Sequence, residues 1–308
     1  MRAVVLSGGV GGARFLRGAV AVLDPADVAI VGNVGDDVDV LGLHVSPDLD
    51  SVLYALAGVA DEARGWGRAD ESWNALATVG ELGGEAWFRL GDRDLGLHLV
   101  RTQLLAAGVP LSAATARLAE RFGLRCALLP ATDDPLRTFV ETPAGTFPFQ
   151  EWFVARGHRD DVDAVHYTGA AAARPAPGVL EALAEADVIV IAPSNPFVSI
   201  GPILAVGPVR EALEGRQAPC IAVSPLIGGR AVRGPADRML ARLAGATDPG
   251  AVAACYPGLI DALVIDESDA GAELPGGVRP VAARTLMVDD EARRRLVQSV
   301  LEAAAAVA

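Results

Sequence analysis

Apolar positions recur along the chain in two alternating patterns: short unbroken runs and helical stripes. Ala3–Leu6, Val28–Val31, Arg125–Leu129, Val188–Ile191, Cys220–Val223, Leu263–Ile265 and Val281–Ala283 are short runs bounded by turn residues, and each predicts a buried strand. Leu49, Val52, Leu53 and Leu56 follow the i, i+3, i+4, i+7 spacing of one helix face. Leu95–Leu105 and Ser112–Arg121 predict two further helices, separated by Gly108-Val109-Pro110. Gly178–Ala186, Val209–Leu213, Ala236–Leu243 and Asp290–Ala305 predict the later ones. Arg137–Val140, Phe147–Val154 and Asp163–Tyr167 are also strand-like but are separated by turns. The expectation is a single α/β domain over residues 1–308, with a small β-rich insertion at about 131–175. Its core is a doubly wound, mostly parallel, Rossmann-like sheet with helices on both faces.

Composition narrows the function classes. Half of the 308 residues are hydrophobic, yet no apolar run reaches the ~18–20 residues of a membrane span. No secretory signal is evident, so a cytoplasmic enzyme without a membrane partner is expected. The formal charge is −13 and no basic run occurs, which argues against a nucleic-acid partner. All 26 basic residues are arginine. The absence of lysine excludes Schiff-base chemistry and a Walker lysine. Cys126, Cys220 and Cys255 are odd in number and form no C-x-x-C pair, so neither a disulfide framework nor a zinc site is indicated.

Ligands of doubly wound sheets bind beyond the carboxyl ends of the strands, so the chemistry is expected in the loops that follow them. Residues 6–15, LSGGVGGARF, carry Gly8, Gly9, Gly11 and Gly12 between a strand and a helix. Two readings stand: a tight strand-to-helix turn, or a backbone anion site assisted by Arg14 or Arg17. Arg14 occupies the third glycine position of a dinucleotide fingerprint, which disfavours a dehydrogenase. The next loop and helix start bring Asp36, Asp37, Asp48 and Asp50 close in sequence. Ser46 or Asp48 could cap the helix, and the cluster could also hold a hard divalent cation such as Mg²⁺.

Asp92 or Asp94 could cap the helix within FRLGDRDLGLHLVR and Asp94 pairs with His98 at i, i+4, while Arg89 and Arg93 could clamp a phosphate or carboxylate. Ser194, Asn195 and Pro196 form a rigid turn in which the Asn195 amide either stabilises the turn or reads a ligand. Ser224, Gly228 and Gly229 supply another hydroxyl and glycine pair after a strand. Together these loops indicate a nucleotide- or phosphate-using enzyme. No G-x-S-x-G elbow is present to support nucleophilic catalysis.

Five blocks, SGGVGGARF, GDDVDVLGLHVSPDLDSVLYAL, RLGDRD, PSNPFVSIGPIL and SPLIGGRAVRGPADRM, occur in this order. The sequence resembles the 2-phospho-L-lactate transferase family of coenzyme F420 biosynthesis from Met1 to about Met239. The resemblance implies a guanosine diphosphate ester of 2-phospholactate, or of phosphoenolpyruvate, as donor. The ribityl hydroxyl of the deazaflavin Fo would be the acceptor, with GMP released and F420-0 or its dehydro form produced. It further implies Mg²⁺, a homodimer, and deazaflavin or metal contact by Asp50 and Arg89. Asp37, Asp50 and Arg89 are the catalytic candidates, and Asp36, Asp37, Asp48 and Asp50 the metal candidates. Gly8–Gly12, Arg14, Ser194–Pro196, Ser224, Gly228 and Gly229 would surround substrate. Several family members have lysine at the Arg89 position, a change that preserves a cationic contact. Another Mg²⁺-dependent nucleotide-diphosphate transferase and a non-catalytic nucleotide-binding protein of this fold are the alternatives.

Overall fold

The computed structural model describes residues 1–308. Seven parallel strands form the central sheet in the order Arg279–Ala283, Ala262–Asp266, Cys220–Val223, Val188–Ile191, Ala3–Ser7 (β1), Val28–Gly32 (β2) and Ala127–Pro130. Every strand predicted for this sheet from its apolar run is present. β1 pairs through Leu6 with Val31 on one side and Ile191 on the other. From β1 the chain winds first toward β2 and Ala127–Pro130, then returns to the other side of β1 and winds outward. That reversal creates a crevice at the carboxyl ends of β1 and Val188–Ile191.

Helix α1 (Gly9–Val22) follows β1 and packs between α2 (Pro47–Leu56) and the closing helix Asp290–Ala305. The close crossing depends on Gly18, where a Cβ would stand 2.5 Å from the Arg293 carbonyl oxygen. Leu49, Val52 and Leu53 are buried as the stripe predicts, and join one large cluster with β1, β2 and α1. α3 (Asn74–Glu81) and α4 (Asp92–Ala106) follow, and residues 57–91 bring Trp66, Trp73 and Trp87 to this end of the sheet. α3 lies on a segment for which no helix was expected.

A three-stranded antiparallel sheet orders Gly145–Pro148, Arg137–Thr142 and Ala164–Thr168. Phe147–Val154 departs from its strand-like reading. The strand ends at Pro148, and Glu151–Ala155 makes one wide helical turn that buries Trp152 against Val140, Val198 and Met239. Its large apolar residues pack in a satellite core, so they mark burial and not strand alternation. No helix is long and apolar enough to cross a membrane.

Candidate functional site

A cleft of about 850 Å³ opens over the sheet reversal. Gly8, Gly9, Gly11, Arg14, Asp36, Asp48, Asp50, Arg89, Ser194, Asn195 and Ser224 all line it. Gly12, Asp37, Pro196, Gly228 and Gly229 do not.

The glycine-rich stretch forms the start of α1 rather than a free loop. Gly8 is its N-cap and offers no side chain, so the helix end faces the cleft with no capping group of its own. A Cβ on Gly11 would lie 2.5 Å from the Pro193 carbonyl oxygen, and one on Gly12 2.2 Å from Ser7 Oγ. Gly12 therefore serves packing. The glycines allow α1 to dock end-on against the Pro193 loop, combining both sequence readings: a close approach and a helix terminus suited to an anion. Arg14 also faces the cleft, where burial and then Arg233 hold its guanidinium below the usual arginine range. Two cations thus lie near the positive end of a helix, an arrangement that attracts polyanions.

The four aspartates expected to share a metal serve different partners. Asp48 Oδ1 accepts from the Gly9 amide at 2.8 Å, and its Oδ2 accepts from Asn33 Nδ2 at 2.8 Å. It therefore caps α1 across space and not its own helix. Ser46 precedes α2 but donates its hydroxyl to Asp37 Oδ2 at 2.9 Å. His44 Nε2 lies 3.0 Å from the same oxygen, which ties Asp37 into the Val38–Val40 and Leu43–Val45 hairpin away from the cleft. Both Asp50 oxygens are taken by Arg101, through Nη1 at 3.0 Å and through Nη2.

No group of three His, Cys, Asp or Glu side chains converges to hold a metal ion. Two carboxylates still fit a hard divalent cation, since Mg²⁺ commonly takes one or two protein oxygens and completes its shell with phosphates and water. Asp36 and Asp48 both face the cleft and both are buried. Asp36 Oδ1 has no hydrogen-bond partner. Burial and then Asp48 push the Asp36 carboxyl well above the usual range, and burial pushes Asp48 up to about 6. A cation between them would relieve both effects.

Beyond α2 lies a second polar group. Tyr54 donates its hydroxyl to Asp94 Oδ1, and His98 Nε2 stands 3.8 Å from that oxygen. His98 Nδ1 stands 3.8 Å from Asp50 Oδ2. Burial lifts Asp94 to about 6 and lowers His98 to about 4, so the imidazole is neutral at pH 7. The expected cap of α4 is exchanged with α3: Glu71 accepts from the Arg93 and Asp94 amides, whereas Asp92 accepts from Asn74 and Ala75. Arg89 is exposed at the cleft edge and stacks 4.7 Å from the Trp73 ring centroid. Trp66, Trp87 and Phe88 give this arm of the cleft an aromatic lining.

Across the cleft, Ser194 Oγ donates to the Gly8 carbonyl at 2.7 Å and fixes the β1–α1 turn. Asn195 Oδ1 accepts from the Phe197 amide at 2.9 Å and Nδ2 points to Met239 Sδ at 3.3 Å, so its amide stabilises the turn at the cleft wall. Pro196 is buried in the turn that Asn195 caps. Ser224 Oγ accepts from the Leu226 amide at 3.2 Å. Gly228 and Gly229 take φ of 57° and 72°, as the two-residue turn between Leu226–Ile227 and Arg230–Ala231 requires. They shape a hairpin and do not line the cleft.

Sequence reasoning missed Asn33, Tyr54, Arg101 and Arg233, and read His98 only as the i, i+4 partner of Asp94. For α4 a signal existed: Asp94, His98 and Arg101 fall at i, i+4 and i+7, one buried polar stripe. Asn33 and Arg233 carry no comparable spacing.

The geometry defines a doubly wound α/β protein with a cleft suited to a polyanion beside an aromatic arm. The fold matches a UPF0052-family protein from Bacillus halodurans with a TM-score of 0.63 at 18% identity, covering 98% of this chain and 100% of that one. Residues 3–305 match the family model of 2-phospho-L-lactate transferase CofD, and the chain belongs to that family. It is similar to the phosphoenolpyruvate transferase of Kitasatospora aureofaciens, 47% identical over 98% of this chain and 97% of the relative. That of Mycobacterium bovis is 40% identical over the full length of both. The protein is accordingly a transferase of coenzyme F420 biosynthesis that moves a phospho-group.

Proposed function

We propose that the protein transfers the phosphoenolpyruvyl group of its guanosine diphosphate ester to the ribityl hydroxyl of Fo, releasing GMP and leaving dehydro-F420-0. The observation that carries this reading is the single cleft joining the start of α1 and Arg14 to the arm of Trp66, Trp87 and Phe88. One end suits a diphosphate, and the other suits a flat, uncharged ring system. The enolpyruvyl donor is preferred over the lactyl one because the similar relatives are named phosphoenolpyruvate transferases.

In this reading, Asp36 and Asp48 hold Mg²⁺, which when bound offsets charge on the diphosphate. Asn33 fixes Asp48 by the 2.8 Å bond to Oδ2, and Ser194 fixes the turn carrying the α1 amides. Arg14 and Arg233 add positive charge at the diphosphate end, and Arg89 at the mouth of the aromatic arm. Such positioning and charge neutralisation are what phosphoryl transfer chiefly requires.

The test is fluorescence-detected chromatography of Fo incubated with the protein, Mg²⁺ and the enolpyruvyl or lactyl guanosine donor. A charged deazaflavin product with matching GMP release, formed faster from the enolpyruvyl donor, is expected. GDP binding with no charged product from either donor would refute the reading.

A further inference from the structure

Attack by an alcohol on phosphorus requires loss of a proton, and the acid candidates on α2 are poorly placed to take it. Both Asp50 oxygens are bound by Arg101. Both Asp48 oxygens are bound by Asn33 and the Gly9 amide. Asp94 differs. Its Oδ1 is held by Tyr54, its main-chain amide is held by Glu71, and no protein donor reaches its Oδ2. Asp94 lines the cleft, and Gly67 stands across from it, where even an added Cβ would remain 4.0 Å from Oδ2. The carboxylate is therefore pinned by one oxygen and open through the other, beside the aromatic arm.

We propose that Asp94 Oδ2 is the proton acceptor for the attacking alcohol, an assignment that rests on the acceptor reading above. As the alcohol oxygen bonds to phosphorus, its proton passes to Asp94. The bridging P–O bond breaks with its electron pair leaving on GMP, which departs as the phosphate dianion and needs no proton. Asp94 then returns the proton to solvent through the cleft. Tyr54 is a positioning residue that aims the carboxylate.

The groups facing Asp94 agree with this role. Tyr54 and Asp50 approach from α2, His98 and Arg101 from within α4, and Glu71 from the segment before α3. Burial dominates and lifts Asp94 to about 6, so it is ionised at neutral pH yet basic enough to accept a proton. His98 is kept neutral by burial and does not compete as a cationic partner.

The test compares Asp94→Asn and Tyr54→Phe with the wild type at saturating Mg²⁺, measuring kcat, KM for Fo and the pH dependence of kcat. The wild type should lose rate as pH falls through about 6. Asp94→Asn should lower kcat by about 100-fold or more with KM for Fo little changed, and should lack that acid limb. Tyr54→Phe removes a hydrogen bond that favours the ionised carboxylate, so it should stay active with its acid limb moved to higher pH. Asp94→Asn with wild-type kcat and an intact acid limb overturns the proposal alone, as does an unmoved limb in Tyr54→Phe. A wild type that makes no charged deazaflavin at any pH overturns both the proposal and the functional reading beneath it.

Discussion

Replacing Arg101 by Met provides a severe test of the buried charge arrangement under the cleft. Arg101 is 1% exposed and Asp50 4% exposed, and two hydrogen bonds join them. Met retains most of the apolar stem, which at ~0.8 kcal/mol per buried methylene would otherwise confuse the result. What is lost is the charge partner. An uncompensated buried carboxylate after removal of its partner costs about 3–5 kcal/mol. That is a large part of the ~5–15 kcal/mol by which a domain is normally stable. Urea unfolding at pH 7.5 should show this loss as a lower midpoint with an unchanged slope. Adding Asp50→Asn to Arg101→Met should recover most of the loss, because the stranded charge is then gone. A loss below ~1 kcal/mol in Arg101→Met, or no recovery in the double variant, would refute the reasoning.

Other expectations follow from single contacts. Gly11→Ala places a Cβ 2.5 Å from a main-chain oxygen, so it should cost about 1–3 kcal/mol in urea unfolding and weaken GDP binding by displacing α1. Asp36→Asn should weaken Mg²⁺ binding to the GDP complex by at least about tenfold in calorimetry while GDP alone binds as before. His98 has a folded pKa of about 4 against an ordinary 6.5, so the unfolded chain takes up a proton first as pH falls, and stability is lost from about pH 6.5 downward. His98→Gln lacks this term, and its stability relative to wild type should improve by about 1.5 kcal/mol between pH 6.5 and pH 5, read by urea unfolding at both values.

The sheet was legible because a parallel strand buried on both faces must be almost wholly apolar. Val188–Ile191 and Cys220–Val223 are fully buried and could be read directly. α3 was not legible. Its only buried residue is Leu76, and its start is fixed by Asp92, eighteen residues beyond Asn74. A cap supplied from another element leaves no local pattern. The same holds at the site. Asp48 stands next to Ser46 and Pro47 in a sequence that suggests self-capping, yet its partner is Gly9. The arginine that neutralises Asp50 lies 51 positions away.

Helix geometry explains why the aspartate cluster cannot act as one site. Asp48 and Asp50 are two residues apart near the start of α2, so their side chains leave the axis about 200° apart. One turns toward α1 and Asn33, the other toward α4 and Arg101. A single ion cannot draw on both. On α4 the spacing has the opposite effect: Asp94, His98 and Arg101 return to one face and meet Tyr54 and Asp50 across the helix pair. The acids thus separate by angle into three sets. Asp36 and Asp48 lie at the polyanion end with carboxyls pushed up by burial, Asp50 lines the cleft with both oxygens held by Arg101, and Asp94 keeps one oxygen without a protein donor beside the aromatic arm. Density of aspartate in the sequence marked the region, and the angular period of the two helices determined which carboxylates remain free for chemistry.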